Sequence, residues 1–246
     1  MASVVTWLSD RHGGVSLPPF DSLNLGLHVG DDDTAVIENR RRACAAVGAT
    51  LDDLVVANQV HGAHVTVVGG EHRGRGATTL ETAIPQTDAL ICETTSVVIA
   101  ILVADCVPVA IVDDRGGRVG LAHAGWRGIA AGVLEATVLT MLERGSLMTN
   151  LRCEVGPGIS AERFEVGEEV VEQLGLHPNS EHVDRTQLRP HVDLTGVVLD
   201  RLVGLGLKRS MISVSDERTG DRYFSARSGA QTGRFAMLAK ILDNGE

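Results

Sequence analysis

The sequence predicts a mixed α/β fold in one domain spanning residues 1–246. Three observations point to it. Apolar β-branched runs alternate with stretches of helical period, glycines punctuate the boundaries, and no change in composition divides the chain. A length of 246 residues, 43% of them hydrophobic, is also enough to bury one large core.

The elements follow in order. RHGGVSLPPFDSLNLG (11–26) is rich in Gly, Pro, Asn and Ser and predicts an irregular loop, long enough to point to a functional use. DTAVIENRRRACAAVGA (33–49) predicts a helix with Val36, Ile37, Ala43, Ala46 and Val47 on one face and a stop at Gly48. Its arginine run at 40–42 reads as a solvated face, and Asp31–Asp33 as a charge cluster at the helix start. LVVANQVHGAHVTVVGG (54–70) predicts two strands around a turn at His61-Gly62. SVVIAILVADCVPVAIVDD (96–114) has the continuous apolar character of buried strands, with Pro108 marking an edge or a bend just past Cys106.

RVGLAHA (118–124) predicts a strand, and IAAGVLEATVLTMLERG (129–145) a helix with Ile129, Val133, Leu134, Val138, Met141 and Leu142 on one stripe ending at Gly145. His123 thus falls at a strand-to-helix turn. FEVGEEVVEQLG (164–175) and DLTGVVLDRLVGLG (193–206) predict two more helices, the second capped by Asp193, and SMISVS (210–215) a strand.

Charge and composition exclude several classes. A net charge of −10 leaves no basic stripe to displace counterions, which excludes a sequence-independent grip on nucleic acid. Any anionic substrate must be held by a few placed arginines. No apolar run reaches the ~18 residues of a membrane span and the N-terminus has no basic leader, so the expectation is a soluble, cytoplasmic protein. Cys44, Cys92, Cys106 and Cys153 lack a paired rhythm and read as reduced thiols.

The chemistry concentrates at strand ends. His61, Cys106 and His123 each sit at such a place, and two imidazoles with one thiolate form an acceptable zinc site with an open fourth position. Taken singly, each reads first as a core thiol or a hydrogen-bonded structural histidine. Asp105, beside the cysteine, orients a ligand, accepts a proton or caps a strand. Arg127, at a helix start, clamps a phosphate or pairs with a surface acid, and Arg11 lies in a Gly-rich turn. Trp126 reads as core rather than a stacking platform.

RHGGVS…NLGLHVGDD…ENR, NQVHGAHV, TDALIC, VADCVPV, AHAGWRG, GPGIS…FEVG and YFSARSGAQTGRFAML occur in one order across nearly the whole chain. In this combination the chain resembles a bacterial family called multicopper polyphenol oxidoreductase (laccase-like), YfiH-like or peptidoglycan-editing factor. The resemblance implies layers of α/β/β/α, zinc held by His61, Cys106 and His123, and purine nucleoside phosphorylase activity with adenosine deamination. Adenosine, inosine and methylthioadenosine-like nucleosides, with phosphate, are the implied small-molecule substrates. Within that reading Arg11 and Arg127 are the phosphate candidates, with Asn24 and Asp105 as polar positioners. Gly158 and Ser215 stand where relatives often carry cysteine, which weakens a copper-dependent polyphenol oxidase.

Two other classes stay open. In one, Cys106 is a nucleophile activated by His123 in a hydrolase or amidase editing a peptidoglycan precursor. In the other, the chain is a non-catalytic, zinc-stabilised binding module, with a fourth protein ligand such as His64 closing the site.

Overall fold

A computed structural model describes residues 3–177, 179–229 and 231–243. The chain opens with β1 (Ser3–Leu8), passes through a long irregular loop and enters α1 (Asp33–Ala46). Then come β2 (Leu54–Val56), β3 (Val65–Val68), β4 (Ala89–Cys92), β5 (Val98–Val103), β6 (Val107–Asp113) and β7 (Arg118–Ala124). Helices α2 (Trp126–Ala131) and α3 (Val133–Glu143) lead to β8 (Arg152–Val155), α4 (Glu168–Gln173), β9 (Val183–Asp184) and β10 (His191–Val192). The chain finishes with α5 (Leu194–Gly204), β11 (Ile212–Val214) and β12 (Phe235–Leu242).

The strands form a four-stranded sheet, β1-β12-β5-β2, a six-stranded sheet, β11-β8-β6-β7-β4-β3, and the small pair β10-β9. Strand alternation sorts their side chains into layers. Ile99, Ile101 and Met237 of the smaller sheet meet Leu90, Val112 and Leu121 of the larger one in a shared apolar layer. The other face of the larger sheet packs Ile91, Ile111 and Ala122 against Leu134, Val138 and Val198 from the helices. The outer face of the smaller sheet packs Val98, Ala100 and Leu238 against Ala43, Cys44 and Val47 around α1. The result is the α/β/β/α layering. Among the described residues, no helix is long and apolar enough to cross a membrane.

Several expectations change in detail. Residues 54–70 are not a hairpin: β2 belongs to the smaller sheet and β3 to the larger, so 57–64 cross between sheets and carry His61 with them. The helix expected over 129–145 starts earlier, at Trp126, and breaks at Gly132, whose φ of 89° caps one helix and starts the next. Pro108 is interior to the sheet rather than at its edge, and sits at the start of β6, where its carbonyl accepts from Gly156 N at 2.8 Å. The helix expected over 164–175 is confined to Glu168–Gln173. Strands β1, β4, β8 and β12 are not among the elements that the local patterns predict.

Helix α1 contains the largest departure. Arg40 is buried at 2% exposure, while Arg41 and Arg42 remain outside and pair with Glu38. The cause is helical period: Val36, Arg40, Ala43 and Val47 share the stripe facing the sheet, whereas Ala46 turns outward. Arg40 donates from Nε to Leu25 O at 2.8 Å and from Nη1 to Gly76 O at 2.5 Å and Ala77 O at 3.0 Å.

Asn39, one residue earlier and fully buried, organises the 11–26 loop. Its Oδ1 accepts from Val15 N at 2.8 Å, and its Nδ2 donates to Ser16 Oγ at 2.9 Å, Ser22 O at 3.0 Å and Asn24 O at 2.9 Å. Removing this amide leaves buried loop groups unpaired. Asn39→Ala is expected to lower stability by about 2–4 kcal/mol, read from the midpoint of urea denaturation at constant slope.

Candidate functional site

The site forms at one end of the six-stranded sheet. β6 and β7 run antiparallel with Pro108 opposite His123 and Val107 opposite Ala124, so Cys106, just before β6, arrives beside His123 at the end of β7. β4 pairs Ala89 with Ala122, which brings the preceding Asp88 to the same end. The period of two places Val119 and Leu121 in the layer between the sheets, and His123 follows them there. Ala110 and Val112 do the same on β6, with Cys106 packed against that layer.

Asp88 fastens the third member. Its buried carboxylate accepts from Val60 N at 3.1 Å, His61 N at 2.9 Å and Gly62 N at 2.7 Å, and from the His123 Nδ1–H at 2.8 Å. The crossing loop is thereby wound tightly enough that His61 adopts a φ of 62°. The two imidazoles meet edge to face with centroids 4.7 Å apart. Because Nδ1 of His123 is committed to Asp88, Nε2 is left for the sulfur side. One ligand atom from each of His61, Cys106 and His123 lies within 4.8 Å of the others, so the three are able to hold a metal ion.

Glycines around the group are required by this proximity. A Cβ on Gly125 would stand 2.8 Å from Cys106 Sγ and 3.1 Å from His61 Cδ2. At Gly128 it would meet Gly62 O at 3.0 Å. The small residues of AHAGWRG therefore let the His61 turn lie against the β7–α2 junction. Trp126 packs on the helical core and Arg127 stacks over its ring at 4.2 Å.

Burial opposes a charged thiolate at Cys106, but the coulombic pull and hydrogen bond of His123, with help from His61, draw its pKa down to about 6. Burial likewise opposes an imidazolium at His123, yet Cys106 and Asp88 raise it to about 9. Burial also raises Asp88, but His123 and the Gly62 and Val60 N–H groups more than offset that and hold it below the usual carboxylate range. Both shifts run in the same sense, each partner favouring the charged form of the other.

The group opens into a cavity of about 340 Å³ whose walls include His28, Asn58, Leu102 and Arg234 together with the three ligand candidates. Gln59 closes the end of β5, accepting from Leu102 N and donating to Leu102 O, both at 2.8 Å. A larger surface groove of about 640 Å³ lies elsewhere and contains Glu181, His182 and Asp200. There the His182 ring is engaged by Asp200 at 2.8 Å and both acids are exposed, so the chemistry favours the interior cavity.

The remaining sequence candidates fall outside that cavity's walls. The Asp105 carboxylate, at a residue with φ of 83°, accepts from Thr219 Oγ1 at 2.5 Å and Arg227 N at 3.0 Å, tying the Cys106 turn to the 219–227 loop. Arg11 donates from Nε to Asp21 O at 2.9 Å, pairs with the Asp21 carboxylate at 3.4 Å and lies over the Phe224 ring. Asn24 is fully buried and accepts from Gly26 N at 2.9 Å and Arg234 N at 2.8 Å while donating to Asp31 at 2.8 Å. Arg127 is exposed, and His64 is exposed and outside the metal-capable group. Asp88, His28 and Arg234 are the residues that local sequence reasoning misses. The one available signal was Asp88, an acid directly before a buried apolar strand.

Two facing sheets between helical layers, with a His–Cys–His group at the end of their shared layer, define a fold class already seen in solved proteins. The crystal structure of YlmD from Geobacillus stearothermophilus superimposes with a TM-score of 0.92 at 36% identity, covering 98% of this chain and 92% of that one. That of the Bacillus licheniformis hypothetical protein YfiH does so with a TM-score of 0.91 at 32% identity, covering 96% and 92%. The chain belongs to the family described as multi-copper polyphenol oxidoreductase laccase, which matches residues 5–242. Purine nucleoside phosphorylase YlmD of Geobacillus stearothermophilus is 41% identical over 249 residues, covering 98% of this chain and 90% of the relative. Purine nucleoside phosphorylase YfiH of Escherichia coli K12 is 37% identical over 243 residues, covering 95% and 92%.

Two outcomes test the geometry. In chelator-treated protein, alkylation of Cys106 by iodoacetamide should rise with a midpoint near pH 6, because its depressed pKa makes thiolate available above that value. Cys44 and Cys153, which burial pushes up to about 11 and about 12, should stay unlabelled in the folded state. Asp88→Asn should weaken metal binding by about 10–100-fold, measured by competition with a chromogenic chelator, because the amide frees the His123 tautomer and loosens the His61 turn.

Proposed function

We propose that the chain is a purine nucleoside phosphorylase whose cleft is completed by one zinc ion on His61, Cys106 and His123. The convergence of these three donors at the wall of a closed-in cavity carries the reading, and the names of the relatives support it. Two imidazoles and a thiolate suit a borderline-soft ion, and three protein ligands match a catalytic rather than a structural site. With His64 outside the group, a closed four-ligand binding module loses its donor. A multicopper centre calls for many more imidazoles than the two present here.

Bound zinc supplies Lewis acidity to a group on the nucleoside or to water. The chain's own residues do the rest. Asp88 fixes the tautomer and angle of His123 and holds His61 against it. Asp105 positions the Cys106 turn through Thr219 and Arg227. The cavity's volume of about 340 Å³ falls in the range of small-molecule sites. Adenosine, inosine and methylthioadenosine-like nucleosides are the substrates we assign, with adenosine deamination in the same cleft. Arg11, Asn24 and Arg127 take scaffold roles. The chain acts as one domain, and its four free thiols fit a reducing cytoplasm.

One observation favours a second reading. The thiolate–imidazolium pair of Cys106 and His123 is also the arrangement of a thiol hydrolase. Cys106→Ser separates the two. Purified wild type is expected to carry about one zinc per chain and to release base from inosine only with phosphate present. The serine variant should lose zinc and phosphorolysis together. A variant that keeps its zinc but is inactive, beside a covalent wild-type adduct in intact-mass spectra, would establish the thiol enzyme instead.

A further inference from the structure

In a chain of net charge −10, most arginines near carboxylates are spent on them: Arg118 and Arg144 pair with Glu93, and Arg152 with Asp114 and Glu154. Arg234 is different. It lines the 340 Å³ cavity, and among the described residues it has no carboxylate partner. Among the described residues its side-chain hydrogen bonds run from Nη1 to Thr232 O at 3.1 Å and Gly233 O at 3.0 Å. These bonds hold the guanidinium while leaving Nε and Nη2 uncommitted. Burial lowers its pKa, and Cys106 and Asp105, which act on it only at a distance, do not offset that.

A second cation acts on the same cavity through His28. Among the described residues Arg40 has no carboxylate partner, its Nη2 is buried with no hydrogen bond, and it lines a small recess with Val56 and Leu102, which also line the cavity. His28, which shares the cavity with Arg234, feels both: burial first, then Arg234 and Arg40, push its pKa down to about 4. It is therefore neutral at neutral pH and adds a hydrogen-bonding imidazole rather than a third cation. His28, Ala226 and Arg234 also border an adjoining recess of about 250 Å³ that reaches Gln231 and Thr232. A buried cation with no anion hydrogen-bonded to it is costly, and an oxyanion relieves that cost by charge and by bidentate hydrogen bonding to the guanidinium.

We infer that Arg234 is the phosphate subsite of this cleft, with the anion seated where the cavity meets its recess. The inference rests on the phosphorylase reading for the anion's role. There a hydrogen-phosphate oxygen forms the bond to ribose C1′ as the C1′–N bond to the purine breaks. The bonding pair leaves with the purine nitrogen, and the proton of hydrogen phosphate balances it. Ribose 1-phosphate and free base result. Arg127 stacks on Trp126 and Arg11 is paired with Asp21, so neither is placed to do this.

The test compares zinc-loaded wild type, Arg234→Gln, Arg234→Lys and Arg127→Ala. Binding of inorganic phosphate without nucleoside is measured by calorimetry, and the KM values for phosphate and inosine by base release. Arg234→Gln should raise both the phosphate Kd and the phosphate KM at least tenfold while the inosine KM and zinc content stay within twofold. Arg234→Lys, which keeps the charge but loses the fork, should fall between, and Arg127→Ala should match wild type. Unchanged phosphate binding in folded Arg234→Gln, or an equal rise in both KM values, overturns the subsite. Phosphate binding that depends on Arg234 in a protein that releases no base upholds the subsite and defeats the phosphorylase reading. Phosphorolysis whose phosphate KM ignores Arg234 does the reverse.

Discussion

The Asp88 carboxylate is the constraint on which the site depends. It is fully buried, and a buried charge persists only where its lone pairs are met. Here three consecutive backbone N–H groups and one imidazole meet them. The same atoms that solve the solvation problem of one acid set the conformation of a turn, the tautomer of His123 and the distance between two imidazoles. Because Asp88 immediately precedes β4, this arrangement is anchored to the sheet by the β4–β7 register rather than by a loop.

The cysteine reaches the same place by a different route. β6 and β7 bring Cys106 and His123 together through register alone, and alternation points both into the layer between the sheets. A one-residue slip would turn either into the helical layer. His61 comes instead from a segment that leaves one sheet and joins the other, so the group links the two sheets at their common end. The glycines at 125 and 128 are there because no Cβ fits between the pieces.

What could be read in the sequence follows from these distances along the chain. The helix stop at Gly48, the Asp193 cap and strand β7 are local events, and local pattern was enough for them. The ligand candidates were legible too, since His61, Cys106 and His123 stand at strand ends in recognisable motifs. β1 and β12 were not, because their pairing joins residues such as Leu8 and Met237 from opposite ends of the chain. Arg40 was misread for a related reason: nothing local distinguishes it from Arg41 and Arg42 until the helix is laid on its sheet. Arg234 was invisible because its significance lies in the carboxylate it lacks, a property of the assembled fold.

The cleft is therefore made from two materials. One wall is sheet: His123 lies in β7, Cys106 directly precedes β6 and Asp88 directly precedes β4, so the register of those strands sets their places relative to one another. The other wall is loop, carrying His28 and Arg234, and it depends on Asn24, whose side chain binds the backbone of Arg234 and whose carbonyl is held by Asn39 on α1. Asp105 joins the two materials, since its backbone belongs to the Cys106 turn while its carboxylate grips Thr219 and Arg227. This division matches what the proposed phosphorolysis demands. The donors that hold an ion need a rigid frame, whereas the groups that receive and release phosphate and nucleoside are better carried on segments whose attachment is strong at a few buried points and free between them.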